Sequence, residues 1–128
     1  MDTIKNSNAD VCMGHLELRG FEMYKGAAID AGISHSLFKK FDMVMSGHFH
    51  HKSSRDNVHY LGSPYEMTWS DYNDDRGFHI FDTKTRELEY IKNPYSMFHK
   101  VFYDDTVNDT DYILNTTDYS YLKDTYVK

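Results

Sequence analysis

Three imidazoles lie directly behind a short apolar run, in the sequence Ser46-Gly47-His48-Phe49-His50-His51. The run itself, Phe41 to Met45, is typical of a short buried strand, and Gly47 is expected to let the backbone turn tightly where the strand ends. Neutral imidazole is the commonest metal ligand among protein side chains. The spacing indicates either a metal site at the exit of this strand or a solvated loop rich in histidine, and these six residues alone do not favour one over the other.

A second segment repeats this design nearer the start of the chain. Ala9 to Met13 is predicted to be a short buried strand, and Gly14-His15 follows it. If the two strands are neighbours in one sheet, His15 and His48 emerge at the same edge and can share one ion. We expect His15, His48 and His50 to converge, and His51 to point away from His50. The remaining histidines of the central and C-terminal parts are predicted to lie elsewhere: His35, His59, His79 and His99.

The segment between these strands predicts a short helix. Ser34 is a favourable N-cap residue, and Lys39 and Lys40 would lie in the last turn, where positive charge complements the helix dipole. The order strand, helix, strand favours an α/β architecture with ligands at strand ends. Further strands are predicted at residues 57–61, 78–82, 88–91 and 98–103, the second and third forming an antiparallel hairpin.

Composition limits the possible functions. The chain has 128 residues, which is enough for one domain. Its net charge of −6 argues against a protein whose main function is to bind the nucleic-acid backbone. A metal-dependent nucleic-acid enzyme is still allowed, because bound cations bring their own positive charge. The sequence contains neither a membrane-length apolar stretch nor a secretion signal, and its single cysteine is Cys12. We therefore expect a cytoplasmic protein without disulfides or membrane partners.

Three motifs together resemble one family. They are Gly14-His15, Gly47-His48-Phe49-His50 and Tyr60-Leu61-Gly62-Ser63-Pro64. They are similar to the calcineurin-type metallophosphoesterases, and more closely to the nuclease subunit of SbcCD-type double-strand-break repair complexes in its T-even phage version. The long polar loop after Pro64 and the Arg76-Gly77-Phe78 sequence match as well. The resemblance extends from about Ala9 to about Tyr103.

The resemblance implies a fold and a set of ligands. The fold would be part of an α/β (α+β) sandwich of two mixed sheets flanked by helices, with two divalent metal ions at the strand ends. His15 and His48 would bind one ion and His50 the other. His51, Ser63 and Lys52 would lie beside these ligands or face the substrate. Manganese is expected, and iron or zinc would suit the same ligands.

The resemblance also implies an activity. The complete protein would be a metal-dependent endonuclease or exonuclease that hydrolyses DNA phosphodiester bonds in recombination and repair. Its partners would be DNA, an SbcC-type coiled-coil ATPase subunit and a second copy of itself. Two alternatives stay open, namely a related phosphoesterase acting on a small phosphoester and a non-catalytic interaction module.

The chain departs from the family pattern in one respect. Neither an Asp-x-His motif before His15 nor any Gly-Asp or Asn-His pair is present, although the N-terminal half of the family's domain supplies all three. Residues 1–103 are therefore expected to form the C-terminal half of a nuclease domain. Residues 104–128 are expected to be a connector and the start of a cap element. Three histidines are too few donors for two ions, so the isolated chain is expected to be inactive.

Overall fold

The structure is a computed structural model that describes residues 2–128. It contains two compact units, the first ending at Pro94 and the second beginning at Tyr95. In chain order the helices and strands are α1 (Asp2–Asn6), β1 (Val11–Gly14), β2 (Glu22–Tyr24), β3 (Ala27–Ala28), β4 (Met43–Ser46), β5 (Ser53–Arg55), β6 (Val58–Tyr60), β7 (Gly77–Phe81), β8 (Leu88–Lys92), β9 (Phe98–His99), α2 (Thr110–Thr116) and β10 (Tyr126–Val127). Three short 3-10 helices span His35–Phe38, Trp69–Asp71 and Ser120–Leu122.

A four-stranded sheet forms the centre of the first unit, with the strand order β1-β4-β6-β5. Strands β1 and β6 both run parallel to β4, whereas β5 runs antiparallel to β6. All four residues of β4 are buried, as expected for an apolar central strand. Mixed sheets with few helices confirm the predicted α/β class, and they are consistent with part of a metallophosphoesterase fold.

Eight buried side chains form the hydrophobic core of the first unit: Leu18, Phe21, Phe38, Phe41, Val44, Phe49, Val58 and Tyr60. The predicted helix before β4 is only the 3-10 helix His35–Phe38, and Ser34 caps it as expected by accepting a hydrogen bond from the Ser36 amide. Phe38 is the one buried residue of this turn. Since packing of an apolar face is what stabilises most helices, little would hold a longer one.

Two side chains fix the segment that follows β1. The Leu16 amide donates to Ser46 Oγ at 3.0 Å. The Tyr60 hydroxyl accepts from the Leu18 amide at 3.0 Å and donates to the Leu16 carbonyl at 2.8 Å. Because Ser46 and Tyr60 are both almost fully buried, these bonds form in a protected interior. They hold the exit of β1 against the ends of β4 and β6.

The predicted hairpin is present as antiparallel strands β7 and β8. The small hairpin of β2 and β3 and the edge strand β5 were not predicted. Strand β5 consists of Ser53, Ser54 and Arg55, and β3 of two alanines. Neither sequence has an alternating apolar pattern from which a strand could be predicted. Their backbone hydrogen bonds to neighbouring strands, and not their side chains, make them strands.

The second unit is small and contains α2, β9 and β10. Strands β9 and β10 run parallel, and Asp109 caps α2 by accepting a hydrogen bond from the Tyr112 amide. The predicted strand over 98–103 is therefore limited to Phe98–His99. The second unit begins at Tyr95 because β9 pairs with the C-terminal strand. The predicted domain boundary after residue 103 stays a prediction. None of the helices within residues 2–128 has the length and apolar character needed to cross a membrane.

Candidate metal centre

His15 and His48 meet at one edge of the central sheet. Strands β1 and β4 pair in parallel with Gly14 opposite Ser46, and the Gly47 amide donates to the Gly14 carbonyl at 3.0 Å. The next residues of each strand thus leave the sheet side by side. His15 Nε2 lies 3.1 Å from His48 Nδ1, and the ring centroids are 4.9 Å apart in an edge-on arrangement. The predicted juxtaposition of these two side chains is confirmed.

Gly47 has a different physical role from the expected one. A Cβ atom at this position would lie 3.1 Å from His15 Nδ1, so the absent side chain makes room for the imidazole ring. The residue in the left-handed region is His48, with φ of 82°. Histidine pays a steric cost in this conformation, and such backbone strain is often found at functional sites.

The spacing of the two nitrogens fits a shared cation. If each nitrogen lies about 2.1 Å from the ion, a separation of 3.1 Å corresponds to a ligand angle of about 95°. Glu17 Oε2 lies 3.6 Å from Nε2 of His48, the ring nitrogen that faces away from His15. No group of three histidine, cysteine or acidic side chains within residues 2–128 is arranged to hold a metal ion. His15 and His48 are thus a pair of candidate donors at this edge of the sheet.

His50 and His51 each contact a carboxylate from the long polar loop. His50 Nδ1 lies 3.1 Å from both carboxylate oxygens of Asp71. His51 Nδ1 lies 2.8 Å from Asp74 Oδ2, and its Nε2 lies 3.7 Å from Glu22 Oε2. His51 is therefore half-buried and held on both sides. The metal-ligand role of His50, and its convergence with His15 and His48, stay predictions.

Arg76 connects the two carboxylates. Its side chain is 3% exposed, and Nη2 donates to Asp71 Oδ1 at 3.2 Å and to Asp74 Oδ2 at 2.9 Å. Burial alone would raise the pKa of Asp71, but hydrogen bonds from the Met67 and Thr68 amides, together with His50 and Arg76, hold that pKa below its usual range. Asp71 is therefore an ionised carboxylate in a buried environment.

The remaining predicted site residues lie around this cluster. Ser63 is buried, accepts a hydrogen bond from Arg76 Nη1 at 3.0 Å and donates its amide to the His50 carbonyl at 3.1 Å. Lys52 Nζ lies 3.8 Å from the centroid of the Tyr90 ring.

The other four histidines contact different partners, His35 with Asp56, His59 with Ser54, His79 with Tyr90 and His99 with Tyr121.

Comparison with known proteins shows what this arrangement is similar to. The chain is 42% identical over 103 residues to exonuclease subunit 1 of Enterobacteria phage T4. It is 29% identical over 94 residues to an SbcCD nuclease subunit of Staphylococcus epidermidis, and 27% identical over 94 residues to the corresponding protein of Staphylococcus saprophyticus. No family model matches the chain.

This chain is homologous to SbcCD-type nuclease subunits. The alignments cover 80%, 67% and 68% of the chain. They cover 30% of the phage exonuclease subunit and 25% of each staphylococcal nuclease subunit. The chain thus spans less than a third of the length of these homologues.

Asp71, Asp74 and Arg76 were not predicted from the sequence to form the network around His50 and His51. The available signal was a long loop with several aspartates, followed by an arginine at the start of β7. Long polar loops in compact domains are often functional. Nothing in the sequence indicates which aspartate faces which histidine, because that depends on the path of the loop.

Proposed function

We propose that this chain is part of the catalytic domain of a divalent-metal-dependent nuclease subunit that hydrolyses phosphodiester bonds in DNA. The observation that carries the proposal is the parallel pairing of β1 with β4, which brings His15 Nε2 within 3.1 Å of His48 Nδ1. The homology to proteins named as an exonuclease subunit and as SbcCD nuclease subunits supports it.

Each histidine has a role in this proposal. His15 and His48 would hold one divalent ion between them, and His50 would bind a second ion through Nε2. Mn²⁺ is the proposed metal, and Fe or Zn²⁺ suits the same donors. Two divalent ions held there would supply an activated water, charge neutralisation and help for the leaving oxygen. His15, His48 and His50 would place these ions at the strand ends.

The other donors would come from outside these 128 residues. Within residues 2–128 no group of three metal-binding side chains is preformed, and the chain covers 30% of the phage homologue. Ions of this type need roughly four to six donors, some of them water. The isolated chain should therefore bind Mn²⁺ weakly and lack nuclease activity.

The partners follow from the same proposal. The names of the homologues describe subunits, which supports a multisubunit nuclease. We propose an SbcC-type coiled-coil ATPase and a second copy of the nuclease subunit as protein partners, and DNA undergoing recombination or repair as substrate. The bacterial cytoplasm is the compartment in which such an activity would operate.

A metal titration tests the ligand assignment. Binding of Mn²⁺ to the chain, followed by electron paramagnetic resonance, should weaken by about tenfold or more in His15→Gln and in His48→Gln. His99→Gln is the matched control, because His99 lies in the second unit and contacts Tyr121. Equal Mn²⁺ affinity of all three variants and the unmodified chain would contradict the assignment.

An activity assay tests the reaction. A gene product that extends over the full length of the homologues should cleave linear duplex DNA with Mn²⁺, and His48→Gln should abolish cleavage. Hydrolysis of a small phosphoester without cleavage of DNA would favour the alternative phosphoesterase. Histidine-dependent DNA cleavage by residues 1–128 alone would show that the ligand set is already complete.

A further inference from the structure

Asp71 is a fully buried carboxylate whose two oxygens are surrounded by donors. Its exposed fraction is 0%. Oδ2 accepts from the Met67 amide at 2.8 Å and the Thr68 amide at 2.9 Å, and Oδ1 accepts from Arg76 Nη2 at 3.2 Å. A buried charge with these partners is held in one orientation. The side chain is therefore a rigid acceptor.

The donor from His50 to this carboxylate is one specific ring nitrogen. His50 Nδ1 lies 3.1 Å from each oxygen of Asp71, while the ring of Tyr24 lies edge-on with its centroid 5.8 Å from that of His50. An ionised carboxylate can only accept, so the proton of a neutral imidazole must be on Nδ1. The lone pair is then on Nε2, which is the form that can bind a metal ion.

The backbone of His50 is held by the same network. Arg76 Nη1 donates to the His50 carbonyl, and Nη2 donates to Asp71. The arginine is 4% exposed. One buried guanidinium thus connects the main chain of His50 with the carboxylate that holds its ring. Rotation of the ring would break its hydrogen bond to Asp71, and the bond from Arg76 limits movement of the main chain that carries the ring.

We propose that Asp71 is a positioning residue that keeps His50 in its Nδ1–H tautomer and aims Nε2 outward as a metal donor. The identity of the ligand rests on the proposed function. Carboxylates that accept from the second nitrogen of a histidine ligand fix both its tautomer and its ring orientation. Arg76 secures Asp71, and it also fixes the main chain from which His50 projects.

His51 provides an internal contrast. Its Nδ1 also faces a carboxylate, Asp74 Oδ2 at 2.8 Å, and Asp74 shares Arg76 with Asp71. However, Nε2 of His51 lies 3.7 Å from Glu22 Oε2, so a carboxylate of this chain lies near each nitrogen of the His51 ring. His51 is therefore held in the protein at both ring nitrogens.

The first test needs no substitution in the network. Two-bond proton–nitrogen NMR correlations of the metal-free chain, recorded about 1.5 pH units above the ordinary histidine pKa, report which ring nitrogen carries the proton. His50→Gln identifies the His50 signals by their loss. The expected result is the Nδ1–H tautomer at His50. The Nε2–H tautomer would overturn the proposal.

The second test compares Asp71→Asn with Asp74→Asn, because both carboxylates contact Arg76 and one histidine. Asp71→Asn should weaken Mn²⁺ binding by about 10- to 100-fold and increase the Nε2–H form of His50. Asp74→Asn should leave both readouts of His50 close to those of the unmodified chain. Equal effects of the two substitutions on Mn²⁺ affinity and on the His50 tautomer would overturn the specific role of Asp71.

The two readouts separate this inference from the proposed function. A chain that binds no Mn²⁺ but carries the His50 proton on Nδ1 would contradict the metal assignment and support the positioning role. A chain that binds Mn²⁺ through His15 and His48 while His50 is in the Nε2–H form would support the metal assignment and contradict the positioning role of Asp71. The NMR experiment uses the unmodified chain, so it decides the proposal even if Asp71→Asn does not fold.

Discussion

The histidine pair at the strand ends and the histidine cluster under the polar loop are held in different ways. His15 and His48 are exposed and contact each other, with one nitrogen of each ring 3.1 Å from the other. His50 and His51 are half-buried, and each contacts an aspartate that is bound to Arg76. Carboxylates thus fix the second group without a metal, whereas a cation would have to replace the hydrogen bond within the first.

The two groups of histidines are therefore positioned by different parts of the structure. The parallel sheet places the backbones of His15 and His48, and the rings are then free to adjust to an ion. The loop network places both backbone and ring of His50. In the proposed function, the Asp71 network orients His50 before metal binds, whereas the contact between His15 and His48 would be replaced by the ion.

The largest expected effect comes from removing the guanidinium that supports the cluster. Arg76→Leu leaves the buried carboxylate of Asp71 without its charged partner, so the free energy of unfolding should fall by about 3 to 5 kcal/mol. Urea denaturation followed by circular dichroism measures this change. Arg86→Leu is the control, since the Arg86–Asp10 ion pair at 3.1 Å is exposed and should contribute about 1 kcal/mol or less. If the two variants lose similar free energies of unfolding, Arg76 stabilises its cluster no more than an exposed ion pair would.

An intermediate effect is expected at the pair. Gly47→Ala places a methyl group 3.1 Å from Nδ1 of the exposed His15 ring, which must shift, so the free energy of unfolding should fall by about 1 kcal/mol. The same substitution in a His15→Ala background should cost much less, because the ring that it meets is gone. A double-mutant cycle in urea measures this coupling. Strict additivity would mean that Gly47 does not accommodate His15.

The smallest effect concerns His59 and His79, which are half-buried. Burial lowers the pKa of His59, and burial together with Lys52 and His59 lowers that of His79. The unfolded chain therefore binds protons first as pH falls. The free energy of unfolding should decrease below about pH 6.5, the ordinary histidine value, and level off once the folded state is protonated too.

Urea denaturation at a series of pH values measures how the free energy of unfolding depends on pH. The double variant with His59→Gln and His79→Gln should show a weaker dependence. An unchanged dependence in that variant would assign the effect to other groups.

The sequence by itself determined the juxtaposition of His15 and His48. Two apolar strands that each end in a glycine and a histidine, joined by a capped turn at Ser34, favour parallel pairing, and parallel strands bring equivalent ends to one edge. The antiparallel hairpin of β7 and β8 was predictable for a similar local reason, since alternating residues flank a polar turn.

Only the tertiary structure decided the surroundings of His50 and His51. Their aspartates lie 21 and 23 residues further along the chain, in a loop whose residues carry no periodic pattern. Which carboxylate reaches which ring depends on the path of that loop and on the single buried arginine that gathers both aspartates. A long-range polar network of this kind has no local signature, because its stability arises from mutual burial and not from the preference of any one residue.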